Sequence, residues 1–319
     1  MMKIKKSVNI SNWVIYIGMV GIFIAFTIIC SALGKDFLNF GNVMNIVNQA
    51  SINAVLAVGM SLVILTGGID LSVGSIVGFV GIFMAMGLRD GMSIPVMLIL
   101  CLLCGAGIGL FNGLLVSFGK VPAFITTLGS MQMVRGFAQI INGGQAVSGF
   151  PLDIGALMKT RLFDVIPIGV IYVLVFYVIM AMVLRYTKFG RYVYAVGGNA
   201  HAAKLSGVKV KQIEVIVYVL CGIFAAFAGV MLLSRLLYAD PSAGNAYEME
   251  AIAAVVIGGI SMSGGKGRIT NTVVGAIILA TLTNGLQIMN VPTYYQTVIT
   301  GLVVVIAVFA DKRKERKEE

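Results

Sequence analysis

The stretch that decides the fold reads Gly67-Gly-Ile-Asp-Leu-Ser-Val-Gly-Ser75 and lies between two long apolar runs. One carboxylate and two hydroxyl side chains interrupt hydrophobic sequence for only a few residues, which is typical of a short break between membrane helices. The whole chain fits that setting, because 59% of its 319 residues are hydrophobic, 11% are charged and the mean hydropathy is +0.98. Most side chains must therefore face lipid or each other. We expect an all-α, polytopic integral membrane protein.

Apolar runs between charged or turn-rich breaks predict about ten membrane crossings, some of them short or broken. A helix needs roughly 20 residues to cross the hydrocarbon layer. The predicted spans are residues 13–33, 52–66, 71–88, 94–118, 123–141, 165–184, 213–233, 251–260, 272–289 and 295–310. We expect them to form a single transmembrane domain, residues 1–319. The first span is longer than the apolar part of a secretory signal, which predicts a retained helix.

The distribution of Lys and Arg predicts that both termini are cytoplasmic, because short loops rich in these residues stay on the inner side of the membrane. Residues 1–12 carry three lysines, the loop of residues 185–212 carries six basic residues, and the tail of residues 311–319 carries five. By the same rule, segments 143–164 and 238–250 are expected outside. The net charge of +10 is then explained without a nucleic-acid partner.

Small residues at regular spacing predict close contacts between helices. Gly105, Gly109 and Gly113 recur every four residues, and Gly74 and Gly78 have the same spacing. Helices in a membrane associate through such faces, because lipid provides no hydrophobic force to drive them together.

The cysteines are expected to pack as small apolar side chains. Cys30, Cys101, Cys104 and Cys221 all lie in apolar runs. Cys101 and Cys104 have the spacing of a metal-ligand pair, but a metal needs further ligands and the chain has one histidine. We therefore expect no metal site.

The deciding stretch has an echo later in the chain, Gly258-Gly-Ile-Ser-Met-Ser-Gly-Gly265. Transporters are often built from repeats whose broken helices meet near the middle of the membrane, although two glycine-rich turns can also be similar by chance. We expect Gly68, Asp70 and Gly74 to shape the first turn. Asp70 is expected to cap a helix from residue 71 onward, with contact to a solute as the alternative.

Five polar side chains in apolar spans are candidates for a translocation path. Charges at membrane depth are costly and so are often functional, and neutral amides there bond either a solute or a neighbouring helix. Both interpretations are open for each of them. The candidates are Asn53, Asn112, Arg135, Asn284 and Gln287.

The basic loop contains the signature of a short, exposed helix. Asn199 is a suitable N-cap, residues 200–205 are mostly helix formers, and Gly207 suits the position after the helix end. A stiff basic helix between two spans suits docking to another protein, whereas a merely solvated loop would not need the caps. The expected docking residues are Gly198, Asn199, Ala202, Ala203, Lys204, Leu205, Ser206 and Gly207.

Together these segments resemble the permease subunits of ATP-binding-cassette sugar importers, most closely the ribose-type permeases. The resemblance lies in residues 57–75, 190–199, 204–208, 251–259, 264–268 and 284–286. It implies a permease of the bacterial cytoplasmic membrane that works as a dimer, most simply a homodimer. It also implies a monosaccharide delivered by an extracytoplasmic binding protein, and a coupling helix at residues 198–207 that enters a groove of an ATPase subunit. Departures from the family pattern at residues 66–67, residues 260–263 and Asn271 leave the identity of the sugar open.

This chain is not expected to be an enzyme. Gly264-Gly-Lys-Gly267 lacks the Ser or Thr that follows Lys in a phosphate-binding loop, so ATP and Mg²⁺ are expected on the partner ATPase and no cofactor here. His201, the sole histidine, lies in the docking loop, which excludes a Ser/His/Asp set. The alternative is an ion-coupled secondary transporter, for which Asp70 is the nearest to a deep acidic residue. A channel or scaffold would not explain the capped helix.

Overall fold

The computed structural model describes residues 10–318, so most of the predicted N-terminal segment 1–12 lies outside the described part. Apart from a hairpin of two-residue strands, β1 (Arg161–Leu162) and β2 (Ile166–Pro167), the regular structure there is helical. The α-helices are α1 (Ile10–Ala32), α2 (Phe40–Leu65), α3 (Val73–Arg89), α4 (Ile94–Ser117), α5 (Ala123–Ile141), α6 (Ala156–Lys159), α7 (Ile168–Tyr186), α8 (Lys188–Gly198), α9 (Ala200–Leu205), α10 (Val210–Leu236), α11 (Tyr247–Ile257), α12 (Thr272–Ile288) and α13 (Thr293–Glu318).

Within the described residues, seven helical segments are long and apolar enough to cross a membrane. They are Ile15–Ala32, Phe40–Leu65, Ile94–Ser117, Ile168–Tyr186, Val210–Leu236, Ile269–Ile288 and Thr293–Arg313. The helix α3 is apolar but shorter, and α11 has only 11 residues. A helical, multi-span fold is therefore confirmed, with short helices among the long ones.

The centre of the bundle is α2, in which 18 of the 26 residues are buried inside the protein. It is surrounded by α7, α10, α11 and α12, and α10 packs in turn against α3 and α4. By contrast, only 7 of the 24 residues of α4 and 5 of the 19 residues of α7 are buried, and both helices expose apolar side chains on their outer faces. Because these faces are hydrophobic rather than polar, they suit contact with lipid or with another membrane subunit.

The glycine spacing in α4 marks its contact with α10, as predicted. A Cβ atom at Gly105 or Gly109 would collide with the carbonyl oxygens of Gly222 and Tyr218 of α10. At Gly113 a Cβ atom would lie 2.9 Å from the Cα atom of Val215. The two backbones thus approach along the whole stripe, which is how small residues hold membrane helices together.

Helix α2 corrects the predicted span 52–66, because it begins at Phe40 rather than at residue 52. The polar residues of its first turns resembled a loop. Asn39 instead caps the helix, accepting a 2.8 Å hydrogen bond from the backbone N–H of Asn42. The Asn42 side chain in turn donates to the carbonyl of Phe37. Local hydrogen bonds thus make polar residues compatible with a buried helix start.

Three other features differ from the sequence expectation. The loop after α7 contains α8 as well as the expected short helix, and the Thr187 hydroxyl caps α8 by accepting from the N–H of Gly190 at 3.2 Å. The segment 143–164, expected as a plain loop, holds α6 and begins the β-hairpin. The tail from residue 311 continues α13.

Candidate functional site

Three glycine-rich backbones meet at one end of the bundle, and we call Gly67, Gly197, Gly198, Gly264 and Gly265 the glycine junction. The N–H of Gly265 donates at 2.9 Å to the carbonyl of Leu65, the last residue of α2. That carbonyl has no acceptor role inside its own helix, so the junction satisfies it.

At Gly197, Gly264 and Gly265 the glycine junction has no space for a side chain. A Cβ atom at Gly197 would overlap the carbonyl oxygen of Leu65 and lie 2.5 Å from the nitrogen of Gly265. A Cβ atom at Gly264 would lie 2.9 Å from the nitrogen of Gly67. Since backbone atoms cannot rotate away as a flexible side chain can, the ends of α2 and α8 and the loop after α11 are fixed to one another.

The two echoed stretches have the same local geometry, although the register differs by one residue. After α2, the N–H groups of Gly67 and Gly68 donate to the carbonyls of Ile64 and Val63. After α11, Gly259 and Ile260 make the equivalent bonds, and the φ angles of Gly67 and Gly259 are 82° and 85°. Both helices therefore end in a Schellman motif, which needs a left-handed residue and so favours glycine.

The short helix α9 is directly beside the glycine junction and has both predicted caps. The Asn199 side chain accepts from the N–H of Ala202 at 2.9 Å. At the other end, Gly207 has a φ of 84°, and the N–H of Val208 donates to Ala203 at 3.0 Å. Leu205 is 78% exposed. A stable helix with an exposed apolar side chain is suited to insertion into a partner.

The loop after α11 is also tied to α8 and to α13. The phenol of Tyr194 donates to the carbonyl of Gly267 at 3.0 Å. From α13, the Lys312 ammonium donates to Ser263 at 2.9 Å, and the Asp311 carboxylate accepts from the N–H of Met262 at 3.2 Å. A displacement of α8 would therefore reach α13 as well as α2.

Asp70 is fully buried and forms a local turn instead of the predicted N-cap. Helix α3 begins at Val73, two residues later than expected, and one Asp70 oxygen accepts from both the N–H and the hydroxyl of Ser72, at 2.9 and 2.6 Å. The Asn112 amide of α4 donates to the same Ser72 hydroxyl at 2.9 Å. This polar chain links α3 to α4 beside Gly68, where a Cβ atom would lie 2.7 Å from the phenol oxygen of Tyr218.

A second cluster, of charged and amide side chains, lies around segment 238–250, and we call it the outer polar cluster: Asn53, Arg135, Asp240, Glu248 and Glu250. Arg135 donates to the carbonyls of Pro241 and Ala243, at 2.5 and 2.7 Å. Its charge interacts with the carboxylates of Glu248 and Asp240. The Asn53 amide donates to Glu250 at 2.7 Å.

Segment 238–250 is therefore not a free external loop. Pro241 and Gly244 are buried, and Gly74 and Gly78 of α3 face this segment. A Cβ atom at Gly78 would lie 2.6 Å from both Arg135 Nη1 and the carbonyl oxygen of Ala243. The expected contact of Gly74 and Gly78 thus exists, but it is made largely with this folded-in segment.

Asp240 lies at the exposed edge of the outer polar cluster. Its carboxylate accepts from the hydroxyl and the N–H of Ser242, at 2.5 and 2.7 Å. These hydrogen bonds lower the pKa of Asp240 below its usual value, and the charge of Arg135 acts in the same direction. The carboxylate is therefore ionised over the physiological pH range.

The five path candidates do not form one site. Asn53 and Arg135 belong to the outer polar cluster, whereas Asn112 lies with Asp70. Asn284 of α12 donates to the side chain of Asn42 at 2.8 Å, which joins α12 to α2. Gln287 is exposed.

The sequence analysis did not predict that Asp240, Glu248 and Glu250 join the outer polar cluster. The segment looked external because it is acidic and lies between apolar runs. A usable signal was present, since Asp240-Pro-Ser242 repeats the Asp-x-Ser pattern of Asp70-Leu-Ser72, and both carboxylates bind the serine two residues on.

Comparison with known proteins gives the class. Residues 42–308 match the family described as the permease component of branched-chain amino acid transport systems. The chain belongs to this permease family, and it is a multi-pass protein of the bacterial cytoplasmic membrane.

Several of the individual relatives are named as sugar permeases. The chain is 43% identical to the ribose import permease of Bacillus subtilis (strain 168), over 92% of this chain and 91% of the relative. It is 43% identical to the ribose import permease of Escherichia coli (strain K12), over 90% of each. It is 36% identical to the xylose transport system permease of Haemophilus influenzae, over 98% of this chain and 99% of the relative. No solved structure matches the chain. The resemblance to ribose-type permeases is therefore confirmed.

Proposed function

We propose that the chain is the transmembrane subunit of an ATP-driven monosaccharide importer, with ribose as the first candidate substrate. The 43% identity to two ribose import permeases, over at least 90% of each chain, supports ribose. Xylose is the next candidate, because the relative named for it is 36% identical. The proposed partners are a second permease subunit, most simply another copy, an extracytoplasmic sugar-binding protein and an ATPase subunit. The ATPase would hold ATP and Mg²⁺.

The observation that carries the coupling mechanism is the exposed helix α9. Its caps keep it helical, its Leu205 side chain projects outward, and the glycine junction ties its neighbour α8 to α2. An open cavity of about 770 Å³ beside α9 is lined by Lys120, Lys204, Lys209 and Lys211, which would suit an acidic partner surface.

For the topology, we propose ten crossing elements: α1, α2, α3, α4, α5, α7, α10, α11, α12 and α13. With ten alternations both termini lie on the side of α9, which the six basic residues of 185–212 favour as cytoplasmic. The short α11 would then be the inner half of a broken crossing. A membrane-impermeant maleimide should label Leu162→Cys from outside intact cells and should label Ser206→Cys only after permeabilisation.

We place the translocation path next to the outer polar cluster, with Asn53 and Arg135 as its residues. Both side chains join the folded-in segment 238–250 to helices of the bundle, so opening that segment would uncover polar groups able to bond sugar hydroxyls. Asn112 and Asn284 are assigned to helix contacts, because their amides bond Ser72 and Asn42.

The test is uptake of radiolabelled ribose into vesicles that contain the chain, its ATPase and its binding protein. Uptake should need hydrolysable ATP and should be lost in Leu205→Asp. The matched control is Leu162→Asp, a change of the same kind on the β-hairpin. This control variant should leave the amount of ATPase bound to the membrane unchanged. Uptake that follows a proton or sodium gradient and ignores ATP would instead establish an ion-coupled transporter.

A further inference from the structure

A basic cavity that the transport mechanism does not use lies where α7 ends and α8 begins. Its volume is about 630 Å³, and two arginines, Arg185 and Arg268, contribute to its wall together with Tyr194 and Thr270. Its lining residues include no carboxylate. Since two guanidinium groups in one cavity repel each other, an anion between them would stabilise the arrangement.

The two arginines come from different segments. Arg185 lies in the last turn of α7, where a cation interacts favourably with the helix dipole. That explanation does not extend to Arg268, which follows Gly267 in an extended conformation. The hydrogen bond from Tyr194 to the Gly267 carbonyl holds this part of the loop against α8. Arg268 is therefore placed at the cavity by packing of the loop, independently of Arg185.

The remaining wall of the cavity is apolar and continues into the outer face of α7. Ala181 and Leu184 line the cavity, and further along the helix Val178 and Met182 are 46% and 49% exposed. These side chains lie on a helix that is long and apolar enough to span the membrane. The cavity thus joins a cationic part with a surface suited to acyl chains.

Helix α8 shows where the cavity lies relative to the membrane surface. Val193 and Val196 are buried, whereas Lys188, Arg191 and Tyr192 are exposed, so the helix is amphipathic. Basic amphipathic helices with exposed tyrosine side chains lie in the interface between lipid and water.

We propose that this cavity binds the phosphate group of an anionic phospholipid from the cytoplasmic leaflet, with Arg185 and Arg268 as ligands. Guanidinium groups match phosphate oxygens through paired N–H donors, and α7 accommodates the acyl chains beside them. The leaflet follows from the proposed topology. The binding itself requires neither the ATPase nor sugar transport.

The experiment measures lipid binding to the purified full chain in detergent by native mass spectrometry. The probes are phosphatidylglycerol, phosphatidylcholine and inorganic phosphate. Phosphatidylglycerol should bind more tightly than phosphatidylcholine, and Arg185→Gln/Arg268→Gln should weaken it about tenfold or more. Arg89→Gln, an exposed arginine at the end of α3, is the matched control and should leave the affinity unchanged.

Other results would overturn the proposal. Equal binding of the two lipids, or an unchanged affinity in the double variant, would exclude a phosphate site at these arginines. Inorganic phosphate that binds as tightly as phosphatidylglycerol would show an anion site for a soluble ligand. If the double variant does not fold, Arg268→Lys serves instead, because it keeps the charge but loses paired donors and should weaken binding severalfold. Uptake assays play no part, so failure here is distinct from failure of the transport proposal.

Discussion

The glycine junction and the outer polar cluster hold elements of the bundle together by opposite means. At the glycine junction, backbone meets backbone, and a carbon atom added at Gly197, Gly264 or Gly265 would collide. At the outer polar cluster, side chains of Arg135 and Asn53 reach across to segment 238–250 through a few hydrogen bonds. Hydrogen bonds of that kind can be replaced by hydrogen bonds to water or to a solute, whereas backbones in direct contact have no such replacement.

The difference indicates that the two regions respond differently to motion. Motion that enters at α9 would pass through the glycine junction to α2, because the backbones of Gly197 and Leu65 are in direct contact there. At the outer polar cluster, the same motion could separate segment 238–250 from the helices by breaking a few polar contacts. Substitutions in the two regions should therefore have different effects.

The largest effect is expected from Gly197→Ala. The new methyl group would overlap the Leu65 carbonyl oxygen, so we expect a loss of about 2 kcal/mol of stability and several-fold less folded protein in the membrane. Thermal unfolding in detergent measures the first effect and quantitative immunoblotting the second. The adjacent Gly198→Ala is the control, because a Cβ atom there meets nothing within 4 Å. Equal effects of the two changes would show that the glycine junction is not rigid.

Arg135→Gln should come next in size. It removes the charged donor of the Pro241 and Ala243 carbonyls, which should cost about 1.5 kcal/mol and release segment 238–250. The readout is the maleimide labelling rate of Asn245→Cys, measured above the background of the native cysteines. Labelling should accelerate severalfold in Arg135→Gln and less in Arg135→Lys. An unchanged rate would mean that packing alone holds the segment.

A smaller effect is expected for the hydrogen bond between Asn53 and Glu250. A double-mutant cycle of Asn53→Ala and Glu250→Ala should give a coupling of about 1 kcal/mol in thermal unfolding. Additive effects of the two changes would show that the bond does not stabilise the closed cluster.

The smallest effect is expected from Gln287→Leu. The side chain is exposed on α12 and belongs to neither the glycine junction nor the outer polar cluster. Stability should therefore change by less than about 0.5 kcal/mol, and ribose uptake should stay within twofold of the unmodified protein. A large loss of uptake with normal stability would return Gln287 to the translocation path.

The sequence predicts the parts of this structure that depend on local chemistry. The caps of α9, the α4 glycine stripe and the helical fold follow from residue type and spacing. The start of α2 could not be predicted, because the Asn42 side chain is satisfied by Phe37 and by Asn284, which is 242 residues away.

The outer polar cluster also depends on long-range contacts. Asn53 and Glu250 are 197 residues apart in sequence, and Arg135 and Pro241 are 106 apart. Individual polar residues at membrane depth could be singled out, but their pairing could not. The same limit applies to the glycine junction, since the echo between two turns does not reveal that α8 lies between them.

One residue, Asn199, separates α8 from α9. Its extended backbone (φ −163°, ψ 100°) ends α8, and its side chain caps α9 by accepting from the N–H of Ala202. A force applied to α9 would therefore reach α8 through a single residue, with no flexible loop between the two helices to absorb it.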